Sequence, residues 1–175
     1  MNDESTSNKL LVLFILEKFE MPIAEELFLS LCCVDNTWIP YLYCKQVINE
    51  LTISAFVNKT SVPGSNSPLL SITTDGRNCL AYFYKDIPLS LQNEIKDFLK
   101  ENRLSYRKRQ EFISDYFRNE DGSFTVALKI QDMTKIIVDL KMRVESRALA
   151  ISVKNSWNNK APELYKLLHD VLIEN

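Results

Sequence analysis

A change of hydrophobic period near residue 106 limits this chain to an architecture with two different halves. Before it, apolar residues recur three and four apart: Cys44, Val47, Ile48 and Leu51 in one segment, Leu91, Ile95, Phe98 and Leu99 in another. That is the spacing of one buried face on a helix. After it, Phe124, Val126, Leu128 and Ile130 alternate with Thr125, Ala127, Lys129 and Gln131. Ile136, Val138, Leu140, Met142 and Val144 alternate likewise with Ile137, Asp139, Lys141 and Arg143. A period of two belongs to antiparallel strands with one wet face. The expected class is therefore α+β, helical first and sheet-forming second.

Composition narrows the class further. With 175 residues, 46% hydrophobic and 25% charged, the chain matches a soluble globular protein and not a disordered or fibrous one. The longest strictly apolar run, Leu10 to Leu16, falls far short of the roughly 20 residues a membrane span needs. Asp3 and Glu4 precede it where a secretion signal would be basic, so a cytoplasmic location is expected. Cys32, Cys33, Cys44 and Cys79 lack the paired spacing of a zinc site and read as buried free thiols. No metal and no cofactor are expected.

Along the first half, Ser5 to Asn8 offer N-caps for a helix over Lys9 to Phe19. Its run Leu10–Leu16 is apolar on every side, which calls for burial all round, by its own domain or also by a partner subunit. Glu20-Met21-Pro22 ends it, and a second helix spans Ala24 to Cys33, opened by Glu25 and Glu26. A third helix runs from about Pro40 or Tyr43 to Leu51 or Thr52. Two extended segments, Ala55 to Asn58 and Leu69 to Thr73, flank the Pro- and Gly-containing stretch Ser61 to Pro68 and make a β-hairpin wing. Thr73 or Thr74 caps a fourth helix to about Tyr84, and Pro88 starts another to about Asn102.

In the second half, strands at about Arg107 to Arg118, Phe124 to Gln131 and Ile136 to Val144 form a meander. Two C-terminal helices follow, the second opened by Pro162. The expected domains are 1–86, a winged helix-turn-helix; 87–104, a linking helix; and 105–175, a three-stranded antiparallel sheet covered by the two helices.

Helix, helix, helix, strand, wing, strand, helix is the order of a winged helix-turn-helix, whose third helix enters the major groove. On that helix Gln46 and Asn49 carry amides that pair bidentately with adenine. Tyr43, Lys45 and wing residue Lys59 would meet phosphates. A further basic series, Lys96, Lys100, Arg103 and Arg107, recurs at helical spacing, although Glu94, Asp97 and Glu101 interleave with it as on a solvated, salt-bridged helix. Charge argues against a strong electrostatic footprint. Residues 1–88 hold six Lys/Arg against ten Asp/Glu, whereas residues 89–175 hold fifteen against thirteen.

Catalytic patterns are missing. The single histidine, His169, has no nucleophile beside it, and neither a Walker loop, GxGxxG nor HExxH occurs. An enzyme is not expected. The aromatics Tyr82, Phe83 and Tyr84 suit core packing or a dimer seam better than a ligand pocket.

The segment Ile72-Thr73-Thr74-Asp75-Gly76-Arg77 resembles the "T-x-x-G" closing segment of MarR-type and PadR-type regulators. Nearly the full chain is similar to a bacterial family catalogued as domain of unknown function 4364. The carrying segments are Asn8 to Leu16, Val47 to Leu51, Ile72 to Gly76, Ile87-Pro88, and Trp157 with Ala161 to Tyr165. The resemblance implies a winged helix, a family-specific α+β domain and a regulatory role, with no residue-level activity. The expectation is a cytoplasmic, homodimeric, DNA-binding transcriptional regulator. Its C-terminal domain would carry an effector site, a partner surface or the dimer seam, with any small-molecule effector unknown. The alternative is a winged-helix protein-interaction module that does not touch DNA.

Overall fold

A computed structural model describes residues 4–63, 65 and 67–173. The fold is mixed α and β, with helices and two three-stranded antiparallel sheets. The chain divides into two compact units, Met1–Tyr106 and Arg107–Asn175.

In the first unit, α1 (Glu4–Phe19) is the central element. Every residue from Leu10 to Leu16 is buried, with Val12, Phe14 and Ile15 fully so. The run is enclosed by α3, α4 and β3 of its own unit (bounds below). Its apolar symmetry is thus satisfied within one chain and argues nothing for a partner subunit. Glu20, in the left-handed region at φ 65°, ends the helix.

Next comes β1 (Ile23–Ala24), a two-residue strand that the sequence does not announce, because two residues carry no period. Ile23 is fully buried and pairs with Leu70. As a result α2 begins at Glu25, not Ala24, and runs to Leu29. Its first turn is tied down by the hairpin: the Glu25 amide donates to the Pro68 carbonyl (2.9 Å) and the Glu26 amide to Ser67 Oγ (3.2 Å). The helical path then widens to π geometry over Ser30–Asp35.

The third helix, α3 (Tyr41–Ile53), buries the expected face of Cys44, Val47, Ile48 and Leu51. Ala55, at φ 58°, turns the chain into β2 (Val57–Thr60). That left-handed turn consumes Ala55 and Phe56, so the strand starts two residues later than expected. β3 (Leu69–Ile72) pairs with β2 from Val57↔Ile72 to Thr60↔Leu69, giving the sheet order β1-β3-β2. Of the connecting stretch, Gly64 and Asn66 lie outside the described residues.

Thr73 caps α4 (Thr74–Phe83), its Oγ1 accepting from the Gly76 amide at 3.0 Å. A 3₁₀ turn (Tyr84–Asp86) leads to α5 (Leu89–Glu111), which runs well past the expected end at Asn102. Two contacts explain the extension. Tyr106 is buried in the first unit's core and hydrogen-bonds Asp35, and Arg107 pairs with Glu111 one turn on (2.8 Å). The residues expected to begin a strand at Arg107 are therefore helical, and β4 is Phe112–Arg118.

In the second unit the sheet order is β4-β5-β6, with β5 at Phe124–Gln131 and β6 at Ile136–Val144. Val126, Leu128 and Ile130, alternate residues of the central strand, are buried against Ala150, Trp157 and Ala161. Those three lie on α6 (Arg147–Leu172), which is one continuous helix and not the expected two. Pro162 lacks the amide that continues a helix, yet both it and Asn158, four residues back, are exposed residues away from the sheet-facing Trp157 and Ala161. Trp157 and Ala161 hold the preceding turn on the sheet, Trp157 donating from Nε1 to the Lys129 carbonyl (3.1 Å).

Candidate nucleic-acid interface

The uncovered side of α3 is set by its buried one. At 100° per residue, Cys44, Val47, Ile48 and Leu51 point inward, which turns Gln46 and Asn49 to the middle of the outer face and sets Lys45 and Tyr43 on its two flanks. All four are exposed. The structure therefore brings four of the five helix-and-hairpin residues onto one surface. Leu42 and Ile53 share it, 79% and 86% exposed. Neither is among the residues expected from the sequence, although their spacing from Gln46 and Asn49 (i, i+4, i+7, i+11) could have found them.

Lys59, the fifth residue, is committed elsewhere. Its ammonium lies 2.7 Å from Glu25, whose side chain is only 10% exposed. A carboxylate taken that far from water needs a cation beside it, so Lys59 turns toward α2. Gln46 is also engaged. Its Nε2 donates to Glu50 (2.9 Å), which in turn pairs with Lys9 of α1 at 2.7 Å. Lys9 first and Gln46 second hold the Glu50 carboxyl below its ordinary range, so it stays charged at neutral pH. Lys45 has no carboxylate within ion-pair distance among the described residues.

The basic series on α5 is largely spent internally. Arg103 pairs with Glu20 (2.5 Å) and Arg107 with Glu111 (2.8 Å). Lys96 lies 5.9 Å from the Phe14 ring centre and 5.8 Å from that of Tyr84, sharing this edge-on aromatic pair with Lys18. Lys100 is exposed. Lys96, Lys100 and Arg103 belong to the first unit and Arg107 to the second, so the four are not one surface of one unit.

Behind α3, the segment Thr73–Gly76 fastens the helix to α4. The Thr73 amide donates to the Phe56 carbonyl (3.0 Å), and Thr73 Oγ1 lies 2.8 Å from the Ala55 carbonyl and 3.1 Å from that of Phe56. A Cβ on Gly76 would stand 2.3 Å from the Phe56 oxygen. The knot fixes the end of α3 relative to both the hairpin and α4.

All four cysteines are free, Cys32 and Cys44 buried, Cys33 and Cys79 half-buried. Burial pushes the Cys33 thiol up to about 12, and it remains protonated at neutral pH. Among the described residues no group of three or more His, Cys, Asp or Glu is placed to hold a metal ion, and no helix is long and apolar enough to cross a membrane.

Comparison with known proteins adds one finding. The chain belongs to the family described as Domain of unknown function (DUF4364), whose model matches residues 8–172. No curated protein and no solved structure matches it.

Proposed function

We propose that this member of the DUF4364 family is a winged helix-turn-helix DNA-binding regulator that acts as a homodimer, with α3 as its recognition helix and the β2–β3 hairpin as its wing. One observation carries the reading. The order α1-β1-α2-α3-β2-β3, with β3 between β1 and β2, leaves uncovered the very face of α3 that holds Lys45, Gln46 and Asn49. Two amides and a cation on an exposed helix suit base edges and a flanking phosphate. Homodimerisation is proposed because paired recognition helices match paired half-sites one helical turn apart. Leu42 on the same face could meet a thymine methyl group.

A second reading rests on an observation of its own. In the first unit Lys9, Lys59, Arg77 and Arg103 are each already paired with a carboxylate, and the outer face of α3 exposes Leu42 and Ile53. Those features favour a protein partner docked on α3, with no DNA bound.

Fluorescence anisotropy with random duplex DNA at two salt concentrations separates the two. The regulator reading expects a Kd in the non-specific range of about 10⁻⁴ to 10⁻⁶ M that weakens steeply with salt. A K45A/Q46A variant should bind severalfold more weakly and with a shallower salt dependence, because Lys45 gives up a phosphate contact, the kind that carries binding to random DNA. Glu50→Gln should tighten binding by removing the carboxylate from the DNA-facing side of α3. Absence of binding at low salt, where phosphate contacts are strongest, would transfer the proposal to the protein partner.

A further inference from the structure

The second unit contains an open cleft of about 620 Å³ between the β4–β5 turn and the first two turns of α6. Arg118, Arg147 and Lys154 line it, with Asp115 as the one acid among the described residues. Arg147 and Lys154 are seven residues apart and so share a side of α6. The neighbouring acids are drawn away from it: Asp121 and Glu145 face Arg143, at 2.5 and 4.0 Å. Asp115 lies 3.5 Å from Lys154, and neither Arg118 nor Arg147 has a carboxylate at ion-pair distance among the described residues. Arg147 instead donates from Nε to the Tyr116 hydroxyl (3.3 Å).

Two features make this an anion site and not a stray basic patch. First, Arg147 occupies the opening turn of a 26-residue helix that has no acid in that turn. The helix macrodipole is positive there and ordinarily draws Asp or Glu, so the cleft adds like charge to like charge. Second, the walls are aromatic. Tyr116 and Phe124 stand 6.2 Å apart on the face of the sheet that α6 covers. A volume in the range of small-molecule pockets, lined by aromatic and charged side chains together, has the composition of ligand sites.

We infer that this cleft binds an organic phosphate monoester carrying a flat ring, the phosphate between Arg118, Arg147 and Lys154 and the ring against Tyr116 and Phe124. The lining charges leave two positive in excess, which a phosphate monoester of about −1.5 to −2 at pH 7 balances and a carboxylate does not. Paired guanidiniums suit its oxygens because each can donate two parallel hydrogen bonds. The site holds whether or not α3 binds DNA.

The test is titration of the full chain with phenyl phosphate, followed by backbone amide shifts, beside inorganic phosphate, phenol and benzoate. Phenyl phosphate should saturate and move amides at 115–118, 122–124 and 147–154. It should bind about tenfold or more tighter than each comparator, and Arg118→Ala and Arg147→Ala should each weaken it by about tenfold. Both arginines are exposed, so the variants should melt as the parent does, and Lys154→Ala gives a third arm if one does not. Binding of benzoate equal to phenyl phosphate would overturn the dianion assignment, and equal binding of inorganic phosphate would remove the ring from it. Failure of phenyl phosphate to saturate, or shifts elsewhere in the chain, would overturn the site itself.

Discussion

Trp157→Ala is expected to unfold the second unit at physiological temperature while Trp38 continues to report a folded first unit. The core of Arg107–Asn175 is small: Val126, Leu128 and Ile130 from the sheet meet Ala150, Trp157 and Ala161 from α6, and Trp157 is the only large side chain α6 buries fully there among the described residues. Truncating a buried tryptophan costs about 3–5 kcal/mol, and the Lys129 carbonyl also loses its donor. A unit of this size has a stability of only several kcal/mol to lose, at about 0.05–0.15 kcal/mol per residue. Thermal unfolding followed by far-ultraviolet circular dichroism should show the sheet's transition move down by at least about 12 °C or vanish. Trp157→Phe keeps most of the ring and should give up about 1 kcal/mol for the missing hydrogen bond. A shift of a few degrees in the alanine variant would mean that α6 is not what covers the sheet.

The second large effect is expected at Gly76. An alanine Cβ there would sit 2.3 Å from the Phe56 oxygen and 2.9 Å from Ile72 Cγ1. The Phe56 carbonyl cannot step aside cheaply, because it already accepts from the Thr73 amide (3.0 Å) and lies 3.1 Å from Thr73 Oγ1. Relief must come from shifting α4 away from the end of α3, which breaks the Thr73 cap as well. Overpacking of this kind costs up to about 3 kcal/mol, and the lost cap adds about 1 kcal/mol. Gly122 provides the contrast. It needs its glycine for conformation, at φ 85°, while the nearest atom to an added Cβ is Arg118 Nη2 at 3.9 Å. Gly122→Asn, which tolerates the left-handed region, should therefore be nearly silent in a urea titration where Gly76→Ala loses several kcal/mol. Equal effects at the two glycines would refute the close approach of α4 to Phe56.

Local signals are readable from the sequence and distant ones are not. The switch of period near 106 locates the sheet, the 44-47-48-51 spacing identifies the inner face of α3, and Thr73 is readable as a cap because capping is a matter of three residues. β1 escapes because its two residues exist as a strand only through Leu69 and Leu70, far along the chain. The length of α5 depends on Tyr106 reaching Asp35, and the continuity of α6 on Trp157 seating under β5; neither leaves a mark on the local pattern. The candidate surface behaves in the same way. Exposure of Tyr43, Lys45, Gln46 and Asn49 comes from helical geometry alone. That Lys59 serves Glu25, and that Lys9 reaches Glu50 beside Gln46, are pairings across 34 and 41 residues set by tertiary packing. Leu10–Leu16 shows the reverse case, a strong local signal with two explanations, and its complete burial inside one unit selects the one that needs no second chain.

If α3 and the hairpin meet duplex DNA as proposed, backbone amide shifts locate the contact residue by residue. Titration of the isotopically labelled chain with a random duplex at low salt should perturb amides across 41–53 and 57–72, fade as salt is raised, and need more duplex to reach the same shifts in K45A/Q46A. Perturbations confined to the second unit, or a spectrum unchanged by DNA, would contradict the proposal.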